Sequence, residues 1–107
     1  MRTDPADLFR HPSERDIERV LVERVSAAGG IAYKFTSPSR RSVPDRIVLM
    51  PGRAAQFVEL KAPGAKPTKA QLREHACIAA AGGRVWVIND MQGVESFMNQ
   101  YMEHCRP

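Results

Sequence analysis

Apolar residues recur every three or four positions in two stretches of the chain, and this spacing is typical of helices that bury one face. The first stretch predicts a helix that begins after Ser13, a good N-cap, and ends at a pair of glycines. The last stretch predicts a helix over about residues 92–104. Between them, Thr68 and Gln71 have the spacing of a capping box, which predicts a third helix that ends near Ala81.

Four shorter stretches have the β-branched or alternating composition of strands, and they cover residues 31–36, 45–50, 54–61 and 84–89. A Pro-Gly turn joins the second to the third, so these two are predicted to form a hairpin. The fourth follows a helix and is therefore expected to run parallel to a neighbour. The order helix, strand, strand, strand, helix, strand, helix predicts an α/β fold in which helices flank a mixed sheet.

The length of the chain indicates one domain, because 107 residues with 43% hydrophobic positions can bury a single core. We predict that this domain covers residues 13–104 and follows a flexible segment over residues 1–12. No stretch approaches the roughly 20 apolar residues that cross a bilayer. The two cysteines lack a metal-binding or redox spacing, which fits a reduced compartment. A soluble, cytoplasmic protein is expected.

Positive charge is concentrated in the middle of the chain, where nine residues between Ile31 and Arg73 are basic and only Asp45 and Glu59 are acidic. Such a segment attracts a phosphate backbone, although it could also be a solvated surface. Two carboxylates in this field would weaken DNA binding unless a divalent cation lay between them and the phosphates. The residues predicted to contact DNA are Lys34, Arg40, Arg41, Ser42, Arg46, Lys66 and Lys69.

The two acidic residues fall on the predicted hairpin. Asp45 opens the second strand, and Glu59 lies in the third strand, where it shares one face with Phe57 and Lys61. Cross-strand carboxylates can supply the hard oxygen ligands that Mg²⁺ or Mn²⁺ prefers. Lys61 could then hold an attacking water or stabilise charge on a phosphate. Taken alone, Glu59 and Lys61 could equally be an exposed ion pair of little energetic value.

The residues PD at 44–45 and ELK at 59–61 match the PD-(D/E)xK pattern of metal-dependent nucleases. Together with the basic loop KFTSPSRRSV, the strings FVELKAPG and AAGGRVWVI and the residue Gln71, they resemble the virus-type replication-repair nuclease (VRR-NUC) domain in its small phage form. The resemblance extends over about residues 13–97. It implies a restriction-endonuclease-like core and a homodimeric endonuclease that cuts branched DNA, such as Holliday junctions, in phage or bacterial replication and repair.

The resemblance also implies roles for particular residues. Asp45 and Glu59 would be metal ligands, together with the backbone carbonyl of Leu60, and Lys61 would be the catalytic lysine. Gln71 would lie near the scissile phosphate or the attacking water. The capping box explains Gln71 equally well, and both roles can hold.

Members of the family have a glutamate in the first helix, for which Glu14, Glu18 and Glu23 are the candidates. Glu18 shares a side of the helix with apolar residues, so we predict that Glu18 is the ligand and catalytic residue. The helix dipole explains Glu14, and a solvated face explains Glu23. The family usually has glycine at the position of Ser42. A serine can take an extended conformation there, but a need for positive φ would alter the fit of the substrate.

Two other functions agree with parts of the sequence. A DNA-binding module that has lost cleavage could act as a recruitment subunit, but the complete set of active-site residues argues against it. A nuclease for RNA or single strands would use aromatic stacking platforms, and Tyr33, Phe35 and Trp86 are interpreted as strand core. We therefore predict an Mg²⁺- or Mn²⁺-dependent endodeoxyribonuclease.

Overall fold

The computed structural model describes residues 11–104, which follow the predicted order of helices and strands. The elements are α1 (Glu14–Ala27), β1 (Ile31–Lys34), β2 (Arg46–Leu49), β3 (Gln56–Leu60), α2 (Lys69–Ala80), β4 (Val85–Ile88) and α3 (Met91–His104). Residues 1–10 of the predicted flexible segment lie outside the described range.

Both of the predicted N-caps are present. The Ser13 hydroxyl accepts a hydrogen bond from the backbone N–H of Asp16, and the Asp16 carboxylate accepts one from the N–H of Ser13. Thr68 and Gln71 make the same reciprocal pair at the start of α2. These bonds satisfy donors that have no partner within the helix, which explains why both helices begin where the sequence predicts.

The four strands form one mixed sheet in the order β1-β2-β3-β4. Strand β2 is antiparallel to both β1 and β3, and β4 is parallel to β3, as the helical crossover predicted. In the hairpin of β2 and β3, Arg46 lies opposite Val58 and Ile47 lies opposite Phe57. Continued by one residue, this register places Asp45 opposite Glu59.

Helices α1 and α3 cover one face of the sheet and enclose the core. Phe97 packs edge-on against both Trp86 and Tyr101, and the Tyr101 hydroxyl donates to the Val48 carbonyl. The buried apolar residues are Ile17, Leu21, Val25, Val48, Met50, Val58, Leu60, Ile88, Val94, Phe97, Met98 and Tyr101. Within residues 11–104, no helix has the length and apolar character needed to cross a membrane.

The opposite face of the sheet is only partly covered. Helix α2 lies on the side of β3 and β4, while Ile31, Tyr33 and Leu49 remain largely exposed on the side of β1 and β2. The interpretation of Tyr33 as core was wrong, because Tyr33 is 52% exposed on a part of the sheet that no helix covers. Phe35 is partly buried and packs against Phe57, and Trp86 is partly buried against the core.

Candidate active site

The hairpin brings the two predicted metal ligands together. Asp45 precedes β2, and its Oδ2 accepts a 2.7 Å hydrogen bond from the backbone N–H of Leu60, the residue after Glu59. The Glu59 side chain is buried beneath α2, with a residue exposure of 1%. Burial and the neighbouring Asp45 carboxyl raise the pKa of Glu59 to about 8. Two carboxyl groups in this position favour a shared proton or a shared cation.

Helix α2 presents two side chains to the Glu59 carboxyl group. The Gln71 amide donates to Glu59 Oε2 at 3.4 Å, and His75 Nε2 lies 3.1 Å from Glu59 Oε1. Gln71 therefore makes its capping box and also faces the site, because its side-chain oxygen accepts from Thr68 while its nitrogen points to Glu59. Its predicted proximity to a scissile phosphate stays a prediction.

His75 is a site residue that the sequence patterns did not predict. It lacks the partners of a zinc site in the sequence, so metal-ligand spacing does not single it out. The usable signal was its spacing of four residues from Gln71, which places both on one side of α2. Burial lowers the pKa of His75, which favours the neutral ring.

Lys61 follows Glu59 on the same face of the chain and is partly buried. Its positive charge lowers the pKa of Glu59 and also contributes to the lowered pKa of His75. The ammonium group is thus near both side chains, as strand alternation predicted. Because Glu59 is buried, these residues are not the exposed surface ion pair considered as the alternative.

The glutamates of α1 have different surroundings. Glu18 Oε2 accepts a 3.0 Å hydrogen bond from Arg46 Nε, and Arg46 also donates to the Ala32 carbonyl. The charge of Glu14 helps to raise the pKa of Glu59, whereas Glu23 is exposed. The role predicted for Glu18 stays a prediction. Glu14 is the first-helix carboxylate whose charge influences the buried carboxyl group.

Two of the predicted DNA-contacting arginines have partners within the protein. Arg40 binds the buried Glu74 through Nε and Nη2 at distances of 2.7–3.1 Å, and Arg46 binds Glu18. The four other basic residues predicted to contact DNA have exposed side chains, namely Lys34, Arg41, Lys66 and Lys69. DNA contact stays a prediction for all six.

Replacing Arg40 with alanine should lower the melting temperature, because the Glu74 carboxylate would be left buried without its cation. In the native protein, the hydrogen bonds from Arg40 lower the pKa of Glu74. A second change, Glu74→Gln, should restore much of the loss, since it removes the unpaired charge. Thermal unfolding at pH 7 measures both effects, with Lys34→Ala as a control for an exposed charge. An Arg40→Ala variant as stable as Lys34→Ala would contradict a structural role.

Ser42 adopts the left-handed backbone conformation, with φ of +63°. Of the two alternatives considered for this position, an extended serine and a positive φ, the structure has the positive φ. This conformation carries strain for a residue with a Cβ atom, and it is the conformation that glycine adopts readily. The position therefore has the geometry for which glycine is suited, although this chain has serine.

A Ser42→Gly variant should be more stable by up to about 1 kcal/mol, since relief of backbone strain outweighs the greater flexibility of glycine in the unfolded chain. Urea unfolding measures the change. Ser39→Gly, in the same loop but without a positive φ, is the matched control and should be neutral or destabilising. A Ser42→Gly variant that lost as much stability as the control would show that the serine conformation is not strained.

No family model matches the chain, but the chain is similar to a curated protein and to solved structures. The chain is 54% identical over 85 residues to "Putative nuclease p44" of Acyrthosiphon pisum secondary endosymbiont phage 1, covering 79% of this chain and 90% of that protein. A solved structure titled "VRR_NUC domain" is 31% identical, with a TM-score of 0.76 and coverage of 82% of this chain and 96% of that chain.

A second solved structure, titled "VRR_NUC domain protein", has a TM-score of 0.70 and covers 87% of this chain and 90% of that chain. At 16% identity it shows the shared fold alone. The mixed sheet and the pairing of Asp45 with the buried Glu59, taken with these matches, indicate a nuclease domain. The chain belongs to the VRR-NUC family.

Proposed function

We propose that this protein is a divalent-metal-dependent endonuclease that hydrolyses phosphodiester bonds in DNA. The observation that carries the proposal is the buried Glu59 carboxyl group, whose pKa is raised to about 8 beside Asp45. Such a pair is unfavourable for folding when both groups are ionised, and perturbed groups of this kind concentrate at functional sites.

The donor set fits Mg²⁺ or Mn²⁺. Both ions take oxygen ligands, and Mg²⁺ is commonly held by one or two carboxylates with phosphate and water completing its coordination. We assign Asp45 and Glu59 as ligands, with the Leu60 carbonyl as the third. Among the residues described, no three His, Cys, Asp or Glu side chains form a metal-binding group. When bound, the cation would lower the pKa of a water molecule and neutralise the phosphate.

The surrounding side chains orient the reacting groups. In our proposal, Lys61 positions the attacking water and stabilises the charge that develops on the phosphate. Gln71 and His75 contact different oxygens of Glu59, so they fix the plane of its carboxyl group. Glu14 is favoured over Glu18 as the acid from the first helix, since its charge acts on Glu59 while Glu18 binds Arg46.

DNA would be held through its phosphates. The exposed side chains of Lys34, Arg41, Lys66 and Lys69 supply positive charge, and such contacts position a duplex without reading its sequence. We therefore propose that structure rather than sequence selects the substrate, with branched DNA preferred in a phage-infected or bacterial cytoplasm.

A homodimer suits a branched substrate, because a two-fold axis places two equivalent sites on two strands. The exposed apolar side chains of Ile31, Tyr33 and Leu49 lie on a part of the sheet that no helix covers. This surface has the composition expected of an interface between copies, and it is our candidate for the dimer contact.

Cleavage of labelled four-way junction, flap, linear duplex and single-stranded DNA tests the proposal. Mn²⁺ or Mg²⁺ should support cleavage and EDTA should abolish it, with branched substrates cut fastest. Asp45→Asn should reduce the rate by about 10³-fold, because it removes a charged ligand. If the native protein binds DNA in a salt-dependent way and cuts none of these substrates, the protein is a recruitment module instead.

A further inference from the structure

A cavity of about 440 Å³ lies on the same face of the sheet as the carboxyl pair. It opens between α2, the end of β1 and the loop that precedes β2. Its volume is in the range of small-molecule sites. The residues that line it are Phe35, Ser37, Arg40, Val43, Phe57, Glu74, Cys77, Ile78 and Ala81.

The cavity and the carboxyl site are built from the same three segments. Phe57 lines the cavity two residues before Glu59, at about 6.6 Å along β3 and on the same face. Val43 precedes Asp45 by two residues in the loop that leads into β2. Glu74 lines the cavity beside His75 in α2. The cavity is therefore the immediate neighbour of the site, within reach of the nucleotide next to the bond that is cut.

The side chains that line the cavity combine an apolar aromatic surface with polar and charged groups. The rings of Phe35 and Phe57 lie 5.8 Å apart at 47°, and both are partly exposed. With Ile78, they form an apolar surface against which a flat ring can pack. The guanidinium group of Arg40 also lines the cavity, and two of its nitrogens donate to the Glu74 carboxylate. A guanidinium fixed in this way offers a plane for stacking, and Glu74 and Ser37 offer oxygens to amino groups.

We propose that this cavity receives one unpaired nucleobase of the strand being cut, adjacent to the scissile phosphate. The inference rests on the proposed nuclease function. The occupant must be flat and aromatic, must have polar edges and must be joined to a phosphate that reaches Asp45 and Glu59, and a nucleobase meets each of these conditions. Entry requires the base to leave the duplex stack, which costs least where the base is already unpaired. The cavity thus supplies a physical reason for a preference for branched DNA.

Fluorescence of 2-aminopurine, which rises when the base leaves a stack, tests the proposal. The probe is placed at successive positions beside the branch of a flap or four-way junction. All proteins carry Asp45→Asn, so that the strand stays intact. We expect a several-fold rise at one position next to the cleaved bond. In the same background, Cys77→Phe should remove this rise and weaken binding of the branched DNA by about 10-fold, because the new ring fills the cavity.

The matched control is Ala76→Phe, which adds the same ring to an exposed position of α2 outside the cavity lining. This variant should leave the fluorescence rise and the affinity for branched DNA unchanged. A second variant, Phe35→Leu, keeps an apolar side chain while removing one stacking surface, and it should reduce the fluorescence rise. Circular dichroism shows whether Cys77→Phe folds. If it does not, Phe35→Leu tests the proposal in its place.

No fluorescence rise at any position, or a rise that the two cavity variants leave unchanged, would overturn the proposal. Metal-dependent cleavage by the chain with native Asp45 is measured separately, so the nuclease function can stand when the cavity proposal fails. Sedimentation of the DNA-free protein tests whether a second copy of the chain fills the cavity instead of a nucleobase. If Cys77→Phe changed only the oligomeric state and not the fluorescence, the cavity would be a contact between two copies of the chain.

Discussion

Replacing Glu59 with glutamine should abolish metal-dependent DNA cleavage while it stabilises the metal-free protein. We expect a fall of about 10³-fold in the cleavage rate, because a charged ligand beside the phosphate is lost. The gain in stability has a different cause. Glutamine has nearly the shape of glutamate and is neutral at every pH, whereas the buried Glu59 carboxyl group beside Asp45 must keep a proton that the unfolded chain would release.

The stabilisation should depend on pH. The pKa of Glu59 is about 8 in the folded protein and about 4.5 when unperturbed. Between these values, the unfolded chain releases a proton that the folded protein keeps, so the free energy of unfolding falls as pH rises. His75 acts in the opposite direction below its ordinary pKa of 6.5, since burial lowers its pKa in the folded protein. From pH 6.5 to 7.5, at and above the ordinary pKa of histidine, the contribution of Glu59 is therefore the larger of the two.

Urea unfolding in EDTA at these two pH values measures the effect. The native protein should lose about 1 kcal/mol between them after allowance for solvent screening, while Glu59→Gln should change little. Glu23→Gln, a change at an exposed glutamate of α1, is the control and should retain the native slope. Equal slopes for Glu59→Gln and the native protein would show that Glu59 is not the group that titrates, and would weaken its assignment as a buried metal ligand.

Replacing Lys61 with alanine should reduce the rate of the chemical step by about 10²- to 10³-fold without loss of metal binding. The reason is that the lysine would act on the water and the phosphate, not as a ligand. Removing its positive charge should strengthen metal binding, because the ammonium group lies near the Glu59 carboxylate and opposes a second cation. A lower cleavage rate together with stronger metal binding would distinguish Lys61 from the two proposed ligands. Neutralising Asp45 or Glu59 should weaken both cleavage and metal binding.

Single-turnover cleavage and calorimetric titration with Mn²⁺ measure the two quantities. Lys66→Ala is the matched control, since it removes the same charge from an exposed position in the following loop. It should weaken DNA binding modestly and leave the rate at saturating protein unchanged. Weaker Mn²⁺ binding by Lys61→Ala, with a native cleavage rate at saturating metal, would show that the lysine supports the metal site and does not assist the chemical step.

Much of the active site follows from short-range patterns in the sequence. Strand alternation places Glu59 and Lys61 on one face and Val58 and Leu60 on the other, and the structure buries the latter pair in the core. The Pro-Gly turn predicts the hairpin that brings Asp45 opposite Glu59. These relations depend on neighbours along a strand or across a tight turn, where geometry allows few alternatives.

Other contacts could not be derived in this way. His75 reaches Glu59 only because α2 lies on the open face of the sheet at a particular rotation. The ion pair between Arg40 and Glu74 joins residues 34 positions apart. Neither contact follows from composition or periodicity, since each depends on how α2 and a loop pack on the sheet. For this reason, the DNA contact predicted for Arg40 depended on its charge and its place in a basic loop, and the ion pair with Glu74 was not predicted.

Several features follow from the amino-acid sequence alone, namely the order of the elements, the two helix caps, the faces of β3 and the pairing of Asp45 with Glu59. Each depends on local hydrogen bonding or on the period of a helix or strand, which a few residues specify. The deep burial of Glu59, the positive φ of Ser42 and the cavity beside Phe57 depend instead on the folded domain. These features arise where segments distant in sequence meet, and their geometry depends on the packing of the whole domain.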